Sequence, residues 1–201
     1  MAHVRFFHGS TEGPPVDMYF NNNRVAYNLG HGKFTDYQEI NPGTYSVSAY
    51  PTGTFSQPIF TTPVGISVGS ISTCSLTGLY PRMTLLPISD SCDLSASVNP
   101  MVRFVHLSHD LSDVDCYDDD DLLWSGCSFG TSTSYSYVFP GTRTICLFPA
   151  GTTTNPCLTV PNCNISPNSY FSFYTVGSNA STAFPLRMHI PLDGHSYIRR
   201  W

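Results

Sequence analysis

Apolar and polar residues alternate over much of this chain. At 16–20, Val16, Met18 and Phe20 fall on one face and Asp17 and Tyr19 on the other, the period of two of a half-buried strand. Residues 44–50 repeat the pattern with Val47 and Ala49 inward. Further short strands are predicted at 3–8, 24–27, 59–62, 66–79 and 83–88. Turns fall at Asn21-Asn22-Asn23 and Pro42-Gly43, and breaks at Pro63 and Pro81. Seven or eight short strands with frequent turn signals describe an antiparallel β-sandwich.

The pattern then starts again. Val4-Arg5-Phe6-Phe7-His8-Gly9-Ser10 returns 98 positions on as Val102-Arg103-Phe104-Val105-His106-Leu107-Ser108. The register holds without a gap from Val4 to Thr54, and 17 of those 51 positions are identical in the second copy. Val16-Asp17-x-Tyr19 matches Val114-Asp115-x-Tyr117, Pro42-Gly43-Thr44 matches Pro140-Gly141-Thr142, and Pro51-Thr52-Gly53-Thr54 matches Pro149-Ala150-Gly151-Thr152. A repeat of this length is too long for a solenoid unit and is the size of a sandwich domain. The expected organisation is all-β: two tandem antiparallel β-sandwich domains at 1–92 and 100–201, the second with a C-terminal tail, joined by a linker at 93–99.

The ordered motifs Val-Arg-Phe-Phe-His-x-Ser, Pro-x-Val-Asp-x-Tyr, Tyr-x-x-Ile-x-Pro-Gly-Thr-Tyr-x-Val and Tyr-Pro-x-Gly resemble the bacterial family of domain of unknown function 4397. The second copy resembles it through Val-Arg-Phe-Val-His-Leu-Ser, Asp-Val-Asp-Cys-Tyr and Phe-Pro-Ala-Gly-Thr. The resemblance covers nearly the whole chain. It implies a transthyretin-like or immunoglobulin-like sandwich in envelope or secreted proteins, and it implies no activity. The chain departs from the family pattern in its seven cysteines and in Ser112-Asp113, which stands where the first copy has Pro14-Pro15.

Composition narrows the function. Charged residues are 11% of the 201 positions, against roughly 25% in ordinary soluble domains. Lys33 is the only lysine and Glu12 and Glu39 the only glutamates, so strong helix formers are nearly missing. A net charge of −5 with nine cationic residues gives no electrostatic footprint for nucleic acid or anionic lipid. No apolar run approaches the roughly 20 residues of a membrane helix, and a hydrophobic content of 41% supports a core. The start, Met1-Ala2-His3-Val4-Arg5, enters a strand pattern directly and shows no signal peptide.

Candidate chemistry is sparse. Gly65-Ile66-Ser67-Val68-Gly69 has nucleophile-elbow spacing, but a β-pattern follows it rather than a helix. His8 with Asp17, repeated as His106 with Asp115, reads as a buried hydrogen bond between the first two strands in preference to a general-base pair. Asp118, Asp119, Asp120 and Asp121 offer oxygens for a Ca²⁺ site, although the first copy has the neutral Asn21-Asn22-Asn23 there, so a solvated turn is favoured. No Cys-x-x-Cys occurs, which leaves zinc little support. Cys116 and Cys127 replace Met18 and Leu29 and are candidates for a disulfide across the core, or for two buried thiols. Cys157 and Cys163, flanking a Pro-Asn turn, are candidates for a small closed loop. Cys74 reads as a core thiol, and Cys92 and Cys146 as candidates for intermolecular bridges. With a single lysine, at most one Lys-Asn isopeptide bond is available.

These features predict a non-enzymatic structural or interaction protein of a bacterial cell or spore surface, without a cofactor. Its expected partner is itself, in a fibre or layer joined through strand edges that few lysines guard. The alternative is a surface binding module for carbohydrate or a protein partner. It would use loops at one end of each sandwich, with exposed tyrosines and Trp124 to stack on sugar rings.

Overall fold

The computed structural model describes residues 1–92 and 98–198. Expected linker residues 93–97 and tail residues 199–201 lie outside the described residues. Contacts divide the described chain into two compact units, one within 1–91 and one within 92–198.

The first unit contains β1 (Ala2–His8), β2 (Val16–Phe20), β3 (Asn23–Leu29), β4 (Gln38–Ile40), β5 (Gly43–Pro51), β6 (Phe60–Ile66), β7 (Ile71–Thr77) and β8 (Thr84–Ser89). They form two four-stranded sheets, ordered β4-β1-β7-β8 and β3-β2-β5-β6. The second unit contains β9 (Met101–His106), β10 (Val114–Asp118), β11 (Asp121–Cys127), β12 (Thr131–Ser132), β13 (Ser136–Tyr137), β14 (Gly141–Pro149), β15 (Leu158–Ile165), β16 (Tyr170–Val176) and β17 (Arg187–His189). Its sheets run β12-β9-β16-β17, with β13 also on β9, and β11-β10-β14-β15. The 98-residue offset therefore maps β2, β3 and β5 onto β10, β11 and β14 residue for residue.

Alternation places the core as expected. Val4, Phe6, Val16, Met18, Phe20, Val47 and Ala49 meet Leu76 between the sheets of the first unit. Val102, Phe104, Val114, Cys116, Ile145 and Leu147 meet Phe173 in the second. One pairing in each unit departs from an antiparallel plan: β1 runs parallel to β7, and β9 parallel to β16. Strand boundaries also differ. β6 passes through Pro63, because an edge strand tolerates a residue without an N–H on its free side. The stretch predicted as one strand over 66–79 is split by the turn at 67–70, where Gly69 has φ +72°.

Asp17 carries a tie that recurs in both units. On the outward face of β2, its Oδ1 accepts the Asn28 N–H at 2.9 Å and its Oδ2 the Gly53 N–H at 3.3 Å. Asp115 accepts the N–H groups of Gly126 and Gly151 at 2.7 and 2.8 Å. Both donors of each pair sit in left-handed backbone: Asn28 and Gly126 at φ +51° and +60° in the bulge of the edge strand, Gly53 and Gly151 at +79° and +78° in the next turn. The carboxylate thus fixes a bulge and a turn that ladder bonds do not satisfy.

A coordinated exchange separates the units at the neighbouring position. Phe20 stacks on Tyr45 in the first, with ring centroids 5.0 Å apart. In the second the same two positions hold Asp118 and Arg143, whose guanidinium donates from Nε and one Nη to both carboxylate oxygens at 2.8 and 2.9 Å.

The sheet edges are guarded without lysine. Among the described residues, β6, β8 and β15 carry Pro63, Pro87 and Pro161. β4, β12, β13 and β17 have three residues or fewer, and β3 and β11 are bulged against their partners. Each device interrupts the row of free N–H and C=O groups that strand addition needs. This corrects the expectation that scarce lysines leave the edges open.

Candidate ligand groove

The candidates for catalysis do not assemble. His8 follows Val4 and Phe6 on the inward face of β1, whereas Asp17 points outward from β2, so the expected hydrogen bond between them is not made. His8 is fully buried, and its Nε2 lies 3.2 Å from the Pro14 carbonyl. A carbonyl only accepts, so Nε2 carries the proton and Nδ1 is bare, with no partner among the described residues. Burial holds the imidazole at a pKa of about 4, with the His31 ring 6.2 Å away as a further unfavourable charge. His106 repeats this against the Ser112 carbonyl at 3.3 Å, and burial lowers its pKa as well. Ser67 sits exposed in the turn that carries the chain from β6 in one sheet to β7 in the other, rather than in a strand-to-helix elbow.

Two of the four carboxylates of the acidic turn are already engaged by Arg143. Arg143 grips Asp118 and reaches Asp119 at 3.3 Å, and Asp119 also accepts the Thr144 N–H. Hydrogen bonding to Asp118 raises the Arg143 pKa. Asp118 is buried in that pair, while Asp120 and Asp121 are exposed. No cluster of three or more metal-ligating side chains with a site's geometry occurs among the described residues.

All seven cysteines are free. Cys116 and Cys127 line the core of the second unit; burial pushes Cys116 well above its ordinary value and Cys127 to about 11. Cys74 is likewise pushed up to about 12 by burial. Cys157 and Cys163 cannot close a loop. Cys163 lies opposite Arg143 and Leu158 opposite Leu147, four residues along β14. That separates the two backbone positions by roughly 13 Å, beyond disulfide reach. The Pro161-Asn162 pair between them is a bulge within a strand, not a turn, with Asn162 at φ +59°. Cys92 is buried against Met101 and Tyr170, which corrects its placing as an accessible bridge. Cys146 is half-buried beside Thr159. Trp124, the candidate sugar platform, packs half-buried on the core from β11 and is no loop residue.

What the structure does form is an open groove of about 440 Å³ at the end of the first unit where β5 and β7 finish. One wall is the β5–β6 loop, with Pro51, Thr54, Ser56, Gln57 and Pro58; the other is Tyr80 and Pro81 from the β7–β8 loop. None of these residues is charged. Phe55, between the lining residues Thr54 and Ser56 though not itself in the lining, is 56% exposed and stacks on Tyr50, centroids 4.7 Å apart, while Tyr19 closes the cluster at 5.0 Å from Phe55. Tyr80 is 41% exposed.

Residues 9–15, directly after His8, hold both walls. Thr52 N–H bonds to the Pro15 carbonyl, and Tyr80 N–H to the Thr11 carbonyl. Gly78 O accepts both the Thr11 N–H and the Ser10 hydroxyl, the latter at 2.6 Å. Gly13 lets this loop press on His8: a Cβ there would stand 3.3 Å from the imidazole. The groove leaves no strand period in the sequence, because its walls come from two separate loops.

Fold and groove together define a tandem β-sandwich module with a surface cleft. Residues 2–117 and 100–190 match the family described as domain of unknown function (DUF4397), and the chain belongs to that family. No curated protein matches the sequence. Among solved structures, the chain is similar to the crystal structure of CBMbc (family CBM26) from Eubacterium rectale Amy13K in complex with maltoheptaose. That similarity spans 94% of this chain and 96% of that one at 10% identity, with a TM-score of 0.31, too slight to carry a fold or a ligand across.

Proposed function

We propose that the chain is a non-catalytic module that binds neutral carbohydrate in the groove of its first unit, at a cell surface or outside the cell. The observation that carries this reading is the groove's lining. An exposed aromatic ring, Tyr80, stands opposite one side-chain amide and two hydroxyls, with no charge among the lining residues. A sugar ring presents an apolar C–H face to an aromatic and hydroxyls to amides and hydroxyls. An ionic ligand would find no counter-charge, and burying it would cost free energy. The surface setting accords with the envelope or secreted proteins that the family resemblance implies. The prolines, bulges and short strands described above favour this reading over self-assembly through strand edges. A glycan array probed with the labelled full chain tests the proposal. Signal is expected on neutral glycans and is expected to be lost in Tyr80→Ala and reduced in Gln57→Ala. Binding confined to acidic glycans, or indifferent to Tyr80→Ala, contradicts it.

A further inference from the structure

We infer that the duplicated chain holds one such site rather than two, and that Phe55 and Tyr80 make the difference; this rests on the carbohydrate reading above. The repeat register supplies the comparison. Pro51, Gly53, Thr54 and Pro58 keep their identity as Pro149, Gly151, Thr152 and Pro156, so the loop scaffold is shared. Phe55, however, becomes Thr153, and Gln57 becomes Asn155. The three-ring cluster of Tyr19, Tyr50 and Phe55 shrinks to the pair Tyr117 and Phe148.

The opposite wall changes more. Between β7 and β8 lie residues 78–83, which present Tyr80 and Pro81 to the groove. Between β16 and β17 lie residues 177–186, four more, with Ser178-Asn179-Ala180 after the shared glycine. This longer loop is fastened down. The Asp110 carboxylate accepts the Ser178 hydroxyl at 2.6 Å and the Asn179 and Ala180 N–H groups at 3.3 Å each, as well as the Ser108 hydroxyl. Burial opposes the Asp110 charge, but these hydrogen bonds outweigh it and hold its pKa below the usual value. The first unit has Glu12 at the Asp110 position, and there the loop is instead joined backbone to backbone through Thr11. The second unit therefore keeps the frame of the groove but places Ser178-Asn179-Ala180, bound to its own carboxylate, where the first has the exposed Tyr80 after the glycine; Phe184, the aromatic residue later in this loop, is half-buried.

Calorimetric titration of the full chain with maltoheptaose, cellohexaose, xylohexaose and laminarihexaose tests the inference. A stoichiometry near one is expected. Phe55→Thr and Tyr80→Asn, which import the residues of the second copy, are each expected to weaken binding on the order of tenfold. Both positions are substantially exposed, and an unchanged melting temperature verifies that the variants fold. Trp124→Phe is expected to bind as the wild type does. Two sites per chain, or full affinity in the Phe55→Thr, Tyr80→Asn double variant, overturns the single-site inference and leaves carbohydrate binding standing. Heat from none of the four sugars overturns both.

Discussion

Acid should unfold the first unit through His8. Its imidazole is neutral, fully buried and bonded through Nε2–H to the Pro14 carbonyl. Protonation would place a charge and an unmatched Nδ1–H in the same closed space. Burial sets its folded pKa at about 4, against 6.5 for the free side chain. The unfolded chain therefore takes up the proton first as pH falls. Stability is complete above pH 6.5, declines between 6.5 and about 4, and is level below that. At 1.36 kcal/mol per unit of separation, the loss from His8 is about 2 kcal/mol at pH 5 and about 3 kcal/mol below pH 4. Urea unfolding at pH 7 and pH 5, followed by methyl NMR, separates the units: Met18 reports the first core, and Met101 and Met188 the second. The first unit of His8→Gln should keep its stability between the two pH values far better than that of the wild type. An equal loss in wild type and variant, or none in the wild type, would show that His8 does not govern the acid limb. His106 predicts a fall in the same direction for the second unit.

Other outcomes follow from single side chains. Asp17→Ala leaves the Asn28 and Gly53 N–H groups without their acceptor and should cost about 2 kcal/mol in urea unfolding of the first unit; an effect near zero contradicts the tie. Arg143→Ala strands the buried Asp118 carboxylate and should cost about 3 kcal/mol. The double variant Asp118→Phe, Arg143→Tyr, which imports the stacked pair of the first unit, should recover most of that loss; additivity of the two single effects would rule out the exchange. Replacing Pro63, Pro87 and Pro161 together by valine should increase association over the wild type, read by sedimentation velocity; an unchanged profile would mean the prolines do not guard the edges.

Much of the fold was legible because sandwich strands obey a period of two. Val16, Met18 and Phe20, and the repeat register from Val4 to Thr54, placed the paired strands of both units. What escaped is set by three-dimensional context. Pro63 reads as a breaker, yet it lies on an edge, where its missing N–H costs no ladder bond. His8 and Asp17 recur together, which invites a pairing, but each recurs for its own backbone partners on opposite faces of their strands. The network of Arg5, Thr73, Tyr37 and Asp90, matched by Arg103, Ser172, Tyr135 and Asp193, was invisible in the register because the second aspartate comes 103 positions on rather than 98. The groove left one trace in the sequence: Phe55 is aromatic in a proline-rich loop whose second copy has Thr153.

Mapping by ¹H–¹⁵N NMR during titration with a neutral oligosaccharide tests the central proposal most directly, because it reports where contact occurs. Shifts concentrated at residues 51–59 and 78–82, with the loop at 150–157 and Trp124 silent, are the result required. Shifts centred on the second unit, or a spectrum unmoved by every neutral sugar, would contradict it.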